Sequence, residues 1–159
     1  SRPPSAVSAL SPDALIAPWL SERKPKSLWV VGQGTPPVIQ DFATANDTAL
    51  TEIKANMLTD LSLPVPMAAI CVDPILGEVD LEHVGILRNR LITDIFCLVS
   101  QHIPAEALYA LGFRRGEYCV SQAGELLSFH YALATYNHTR AWNNPKFWAN
   151  PENWNKYWW

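Results

Sequence analysis

Leu28-Trp29-Val30-Val31-Gly32-Gln33-Gly34 is a short apolar run stopped by two glycines. Its brevity and its paired valines favour a buried strand over a helix. Two more runs of the same kind follow, Met67-Ala68-Ala69-Ile70-Cys71-Val72, ended by Asp73-Pro74, and Ile95-Phe96-Cys97-Leu98-Val99. Strands that are apolar on both faces belong in a parallel sheet covered by helices on each side. These three runs therefore predict an α/β protein of three layers.

The segments between the runs supply the covering layers. Ser11-Pro12-Asp13 is a helix start, with a serine cap, proline in the first turn and an acid at the positive end of the helix dipole. Leu15, Ile16, Trp19 and Leu20 give that helix an apolar face. Pro18 is expected to end or bend it, and 22–26 reads as a charged turn. After Pro36-Pro37, the stretch Val38-Ile39-Gln40-Asp41-Phe42 reads as a second short strand. From 47 to 61, Leu50, Ile53, Met57, Leu58 and Leu61 recur at helical spacing, closed by Pro64 and Pro66. Leu81, Val84, Leu87 and Leu91 mark another helix with Asp80 as its cap, and 104–111 is a short helix stopped by Gly112. Alternation of Leu127, Phe129, Tyr131 and Leu133 with their neighbours closes the chain in a hairpin over about 117–136. The hairpin adds antiparallel strands to the sheet, in an order the pattern leaves open. The expected organisation is a loose segment over 1–10, a Rossmann-like α/β domain over 11–136, and a tryptophan-rich strap over 137–159.

Composition narrows the function classes. The chain of 159 residues suits one domain, and 48% hydrophobic against 17% charged residues supports a sizeable core. A net charge of −3, with no run of basic residues, argues against general nucleic-acid or membrane-surface binding. Arg88, Arg90, Arg114 and Arg115 read as solvated charges. Cys71, Cys97 and Cys119 are odd in number and lie in apolar stretches, so they read as buried thiols in a reducing cytoplasm rather than a disulfide or zinc set. No apolar run is long enough to span a membrane. No charged and then apolar leader opens the chain, so no signal peptide is expected, and Ser1 in place of methionine reads as a trimmed terminus. His83, His102, His130 and His138 have no close pairing, and no metal site, nucleophile elbow or P-loop is present.

Val30-Val31-Gly32-Gln33-Gly34, Ile70-Cys71-Val72-Asp73-Pro74, a helix ending in Arg88-Asn89-Arg90-Leu91, and Ala110-Leu111-Gly112-Phe113 come in that order before the hairpin. Together they resemble the Rossmann-like fold of class I S-adenosylmethionine-dependent methyltransferases. The resemblance covers roughly residues 27–136 and is topological more than motif-level. It implies S-adenosylmethionine as the cofactor, with Gly32, Gly34 and Asp41 as candidate contacts and Asp73 as the candidate residue near the transferred methyl. The departures are specific. The family's turn has three glycines after an acidic residue, where this chain has Gly32 and Gly34 followed by Thr35-Pro36-Pro37. Two prolines remove N–H donors where a cofactor-binding helix would begin. The acidic residue that holds ribose hydroxyls comes about 20 residues past the glycines, so Asp41 is too soon and Asp47 somewhat early. Amino-methyltransferases carry Asp/Asn-Pro-Pro-aromatic, whereas Asp73-Pro74 is followed by Ile75-Leu76.

The last nineteen residues, 141–159, hold five of the seven tryptophans. Asn144-Pro145-Lys146-Phe147-Trp148 and Asn150-Pro151-Glu152-Asn153-Trp154 are near-copies six residues apart. Asn is a good N-cap and Pro is favoured at the first helical position, so each copy encodes a sharp turn that aims a ring. With Ala17-Pro18-Trp19-Leu20, this tail is also similar to a small family of uncharacterised bacterial proteins with no assigned activity. Trp142, Trp148, Trp154 and Trp158 are the candidate interaction residues. They pack on their own sheet, on a second subunit as in a homodimer or on another protein partner, or form a platform for a sugar or base. The function expected from the sequence is a non-catalytic interaction or scaffold protein on a degenerate methyltransferase-like fold, with no cofactor. The alternative is a divergent S-adenosylmethionine-dependent methyltransferase.

Overall fold

The computed structural model describes residues 10–122 and 124–133. The 1–9 segment and the tail with Trp142, Trp148, Trp154 and Trp158 lie outside the described residues. Helix α1 (Pro12–Arg23) is followed by strand β1 (Ser27–Val31), helix α2 (Pro37–Asn46) and strand β2 (Ala49–Ile53). A 3-10 turn (Ala55–Met57) leads to β3 (Ala68–Cys71), helix α3 (Glu78–Asn89), β4 (Asp94–Ser100) and helix α4 (Ala105–Ala110). The hairpin β5 (Arg114–Ser121) and β6 (Gly124–Ala132) completes the sheet.

The six strands lie in the order β2-β1-β3-β4-β6-β5. Strands β1 to β4 pair in parallel, and β6 runs antiparallel to both β4 and β5. This is a mixed α/β, Rossmann-like sheet of three layers, as the apolar runs predict. Period-2 alternation divides each strand between two cores. Trp29, Val31, Ala69, Cys71, Ile95, Cys97, Phe129 and Tyr131 face α3 and α4, meeting Val84, Leu87 and Leu108. Leu28, Val30, Ala68, Ile70, Phe96, Leu98 and Leu126 face the other way, meeting Ile16, Trp19 and Leu20 of α1 and Ile39 of α2.

Several local expectations are corrected. Pro18 does not end α1, which continues to Arg23 and closes at Lys24 in the left-handed conformation (φ 44°); Glu22 and Arg23 are therefore helical rather than a turn. The stretch 38–42 is not a strand but the first half of α2. Pro37 at the first helical position, after Pro36 as N-cap, presets the helical φ and outweighs the strand preference of Val38 and Ile39. The stretch 47–61 is not a helix. Asp47 ends α2 with φ 57°, and the chain reverses into β2. Ala49 N–H donates to Lys26 O (2.9 Å), so the open edge of β1 recruits the segment. Of the residues that made the helical spacing, Leu61 is 81% exposed. Asp80 is not the cap of α3; Gly77 is, and Asp80 accepts instead from the Leu76 N–H (2.9 Å), one residue before it.

Arg90 is not a solvated charge. Its guanidinium donates to the carbonyls of Leu58 (3.0 Å), Asp60 (3.4 Å) and Leu63 (3.0 Å) and lies 5.4 Å from the Trp29 ring centre. It thereby pins the loop between β2 and β3 beneath the sheet. The three cysteines are buried and free. Among the described residues, no helix is long and apolar enough to cross a membrane, and no cluster of three metal-ligating side chains exists.

Candidate functional site

In a parallel sheet the connections leave the carboxyl ends of the strands, and a crevice opens where neighbouring strands connect in opposite directions. That switch lies between β1, which leads outward to β2, and β3, which leads the other way to β4. Gly32-Gln33-Gly34 and Val72-Asp73-Pro74 therefore sit side by side at the mouth. The structure brings Gly32 and Asp73 together.

The contact between them is close. Gly32 has φ +140°, and a Cβ there would stand 2.8 Å from Val72 Cγ2 and 2.9 Å from the Asp73 carboxyl. The turn is also hydrogen-bonded to both neighbours of β1. Gly32 N–H donates to Ile53 O (3.0 Å), and Gln33 N–H donates to Asp73 Oδ2 (3.2 Å). Gly34 needs its freedom for backbone reasons alone, with φ +84° and open space around the position a Cβ would take. Asp41 does not join the site. It lies inside α2 on the exposed side of the helix, because the segment that carries it is helical.

The acidic residue that does reach the glycine turn is Glu52, which the sequence reading missed. It lies at the carboxyl end of β2, twenty residues after Gly32, and its Oε2 accepts from Thr35 Oγ1 at 2.6 Å. That is the separation at which Rossmann-type sites place a ribose-binding carboxylate. The count was legible from the start; the helical reading of 47–61 hid it.

The start of α2 is poor in donors. Pro36 and Pro37 have no N–H, and the Ile39 and Gln40 N–H groups bond back to Pro36 O (3.0 and 3.1 Å). Helix N-termini hold phosphate through free N–H groups, so little is left here for a phosphate or pyrophosphate. The segment after Asp73-Pro74 is likewise closed. Ile75 is buried and bridges to β4 in parallel fashion, its N–H on Leu98 O (2.8 Å) and its carbonyl accepting from Ser100 N–H (2.9 Å).

Beside this mouth, on the α1 and α2 side of the sheet, runs an open groove of about 840 Å³. Val72 and Pro74, on either side of Asp73, line it together with Pro36, Ile16, Leu98 and the Val120–Gln122 end of the hairpin. Its volume lies within the range of small-molecule sites. Among the described residues that line it, Asp13 is the one charged residue and there is no lysine or arginine. With Glu52 and Asp73 at the rim, the mouth favours a neutral or positively charged ligand over an anion.

The sequence model of a "Family of unknown function (DUF6231)" matches residues 10–159. No curated protein matches the chain. Among solved structures, ribosomal protein L11 methylase from Lactobacillus delbrueckii subsp. bulgaricus is similar at a TM-score of 0.46 and 14% identity, over 74% of this chain and 75% of that chain. A likeness of that size says nothing about activity.

Proposed function

We propose that this chain, which belongs to the family of unknown function DUF6231, is a small-molecule-binding Rossmann-like domain whose ligand is a nucleoside of the S-adenosylmethionine class. The observation that carries this reading is Glu52, twenty residues after Gly32 and hydrogen-bonded beside the glycine turn. A carboxylate there suits the two hydroxyls of a ribose, which it accepts from after Thr35 yields. The acidic rim suits a sulfonium, and the donor-poor start of α2 disfavours a dinucleotide. The proposal is one of binding. Asp73 is already engaged by Gln33 N–H, Ile75 is buried against β4 in place of the second proline, and Leu76 stands where a flipped base would need an aromatic partner.

Isothermal titration of the full chain with S-adenosylmethionine and S-adenosylhomocysteine tests it, with NAD as the anionic control. Binding of the first two and not of NAD is expected. Glu52→Gln should weaken binding about tenfold, roughly 1.4 kcal/mol, by removing one charged acceptor. No heat at millimolar ligand ends this reading. A non-catalytic interaction protein then stands in its place, a reading favoured by Pro36 and Pro37 at the position where a cofactor needs N–H donors.

A further inference from the structure

We propose that the tryptophan-rich segment 137–159 folds back on the amino-terminal end of its own sheet and covers an apolar patch formed by Leu61, Val65, Met67 and Leu91. This inference is independent of the ligand reading, which concerns the opposite end of the strands.

The patch is defined by where its residues enter the sheet. Met67 immediately precedes β3, and its carbonyl accepts from the Asp94 N–H (3.1 Å) at the start of β4. Leu91 lies in the turn between α3 and β4. Leu61 and Val65 belong to the loop whose first part Arg90 pins. Their exposures are 81% for Leu61, 47% for Val65, 44% for Met67 and 68% for Leu91. Grouped exposed apolar side chains mark a surface that something covers.

Leu91 makes the case sharper. Its φ is +64°, in the left-handed region where glycine or asparagine follows a helix at low cost. A leucine here incurs backbone strain and exposes its side chain at the same time. Neither cost is offset by any contact of its own domain that would bury it. Covering the side chain would offset both.

The occupant follows from the path of the chain. Leu133, the last described residue, leaves β6 at this same end, its N–H bonded to Thr93 O (2.7 Å) just before β4. The remaining 26 residues begin beside the patch. Fully extended they would reach roughly 85 Å, so an adjacent surface needs a fraction of that length. Asn144-Pro145 and Asn150-Pro151 each pair an N-cap residue with a proline three residues before Trp148 and Trp154, a pattern that favours short capped turns. Attachment to the same chain supplies the rings at high effective concentration, whereas a second copy would also lose translational freedom.

Intrinsic fluorescence of the full chain tests the proposal, because five of its seven tryptophans lie in the segment and Trp19 and Trp29 are buried in the domain in any case. The expected wild-type emission is blue-shifted and resists acrylamide quenching in a species that light scattering measures as a monomer. Leu91→Asn and the pair Leu91→Asn with Met67→Lys should each raise quenching, the pair severalfold, with the far-UV circular dichroism unchanged. Asparagine tolerates the left-handed backbone, so Leu91→Asn keeps the domain folded and a gain in quenching reports release of the rings. Solvent-exposed emission in the wild type, or quenching that neither variant alters, overturns the proposal. Protection that appears only in a dimer also overturns it and assigns the patch to a second copy.

Discussion

Gly32 shows how much one position at the mouth decides. Any side chain there meets Val72 and the Asp73 carboxyl within 3 Å while φ is held at +140°. Both penalties act together, so Gly32→Ala should lower stability by about 1–3 kcal/mol. A thermal melt of the purified variant checks this, and a midpoint equal to wild type would show that the turn relaxes freely. The same residue reveals what the sequence let one read. That Gly32 and Asp73 each end an apolar run was legible, and their meeting follows from β1 lying beside β3 in the sheet. Glu52 was legible as a distance from Gly32 and was lost because its neighbours mimic a helix. Arg90 was not legible at all, since its partners are backbone carbonyls of Leu58, Asp60 and Leu63 about thirty residues away.

At the scale of elements, α1 carries an interior proline that its neighbours tolerate. Pro18 lacks the N–H that would bond the Ala14 carbonyl, and its ring crowds that turn. The helix holds because Ile16, Trp19 and Leu20 are buried against the sheet and the Ser11 hydroxyl caps it, accepting from Ala14 N–H (3.2 Å). Packing of an apolar face outweighs propensity here. Pro18→Ala should restore the bond and gain up to about 3 kcal/mol, offset by about 0.4–1 kcal/mol for the looser unfolded chain. A net rise in melting temperature is expected, measured by circular dichroism; a fall would show that the proline ring itself packs. The stretch 47–61 makes the complementary point. Strand β2 is exposed along most of its length, with Ile53 its one fully buried side chain. An edge strand of that kind has no burial period to read, and what holds it is hydrogen bonding to β1.

The whole molecule couples its core to pH through the cysteines. Burial pushes the Cys71 thiol up to about 12, with the Asp73 and Asp80 carboxylates adding to the rise, and burial likewise raises Cys97 well above its ordinary value. The folded chain keeps protons that the unfolded chain releases near pH 9. The stabilisation is therefore complete below about pH 9 and is lost as pH climbs toward the folded values. Each thiol should contribute a slope of about 1.4 kcal/mol per pH unit in that window. Denaturant unfolding at a series of pH values from 8 to 11 should show the decline, and Cys71→Ala should remove one thiol's share of the slope. A slope unchanged in that variant would place the pH sensitivity elsewhere.

The sequence by itself determined the class of this protein. Short runs apolar on both faces, punctuated by Gly, Pro and Asp-Pro and separated by helical faces, admit little besides a covered parallel sheet with a closing hairpin. Those signals are local and periodic, so burial writes them directly into residue order. Tertiary structure alone decided the rest: the strand order, the strand at 49–53 in place of a helix, the helix begun by Pro36-Pro37, and the meeting of Glu52 with the glycine turn. Each depends on partners far away in the chain. Hydrogen bonds to an open sheet edge and a carboxylate brought across from the neighbouring strand leave no period behind them, so they become visible once the sheet is assembled.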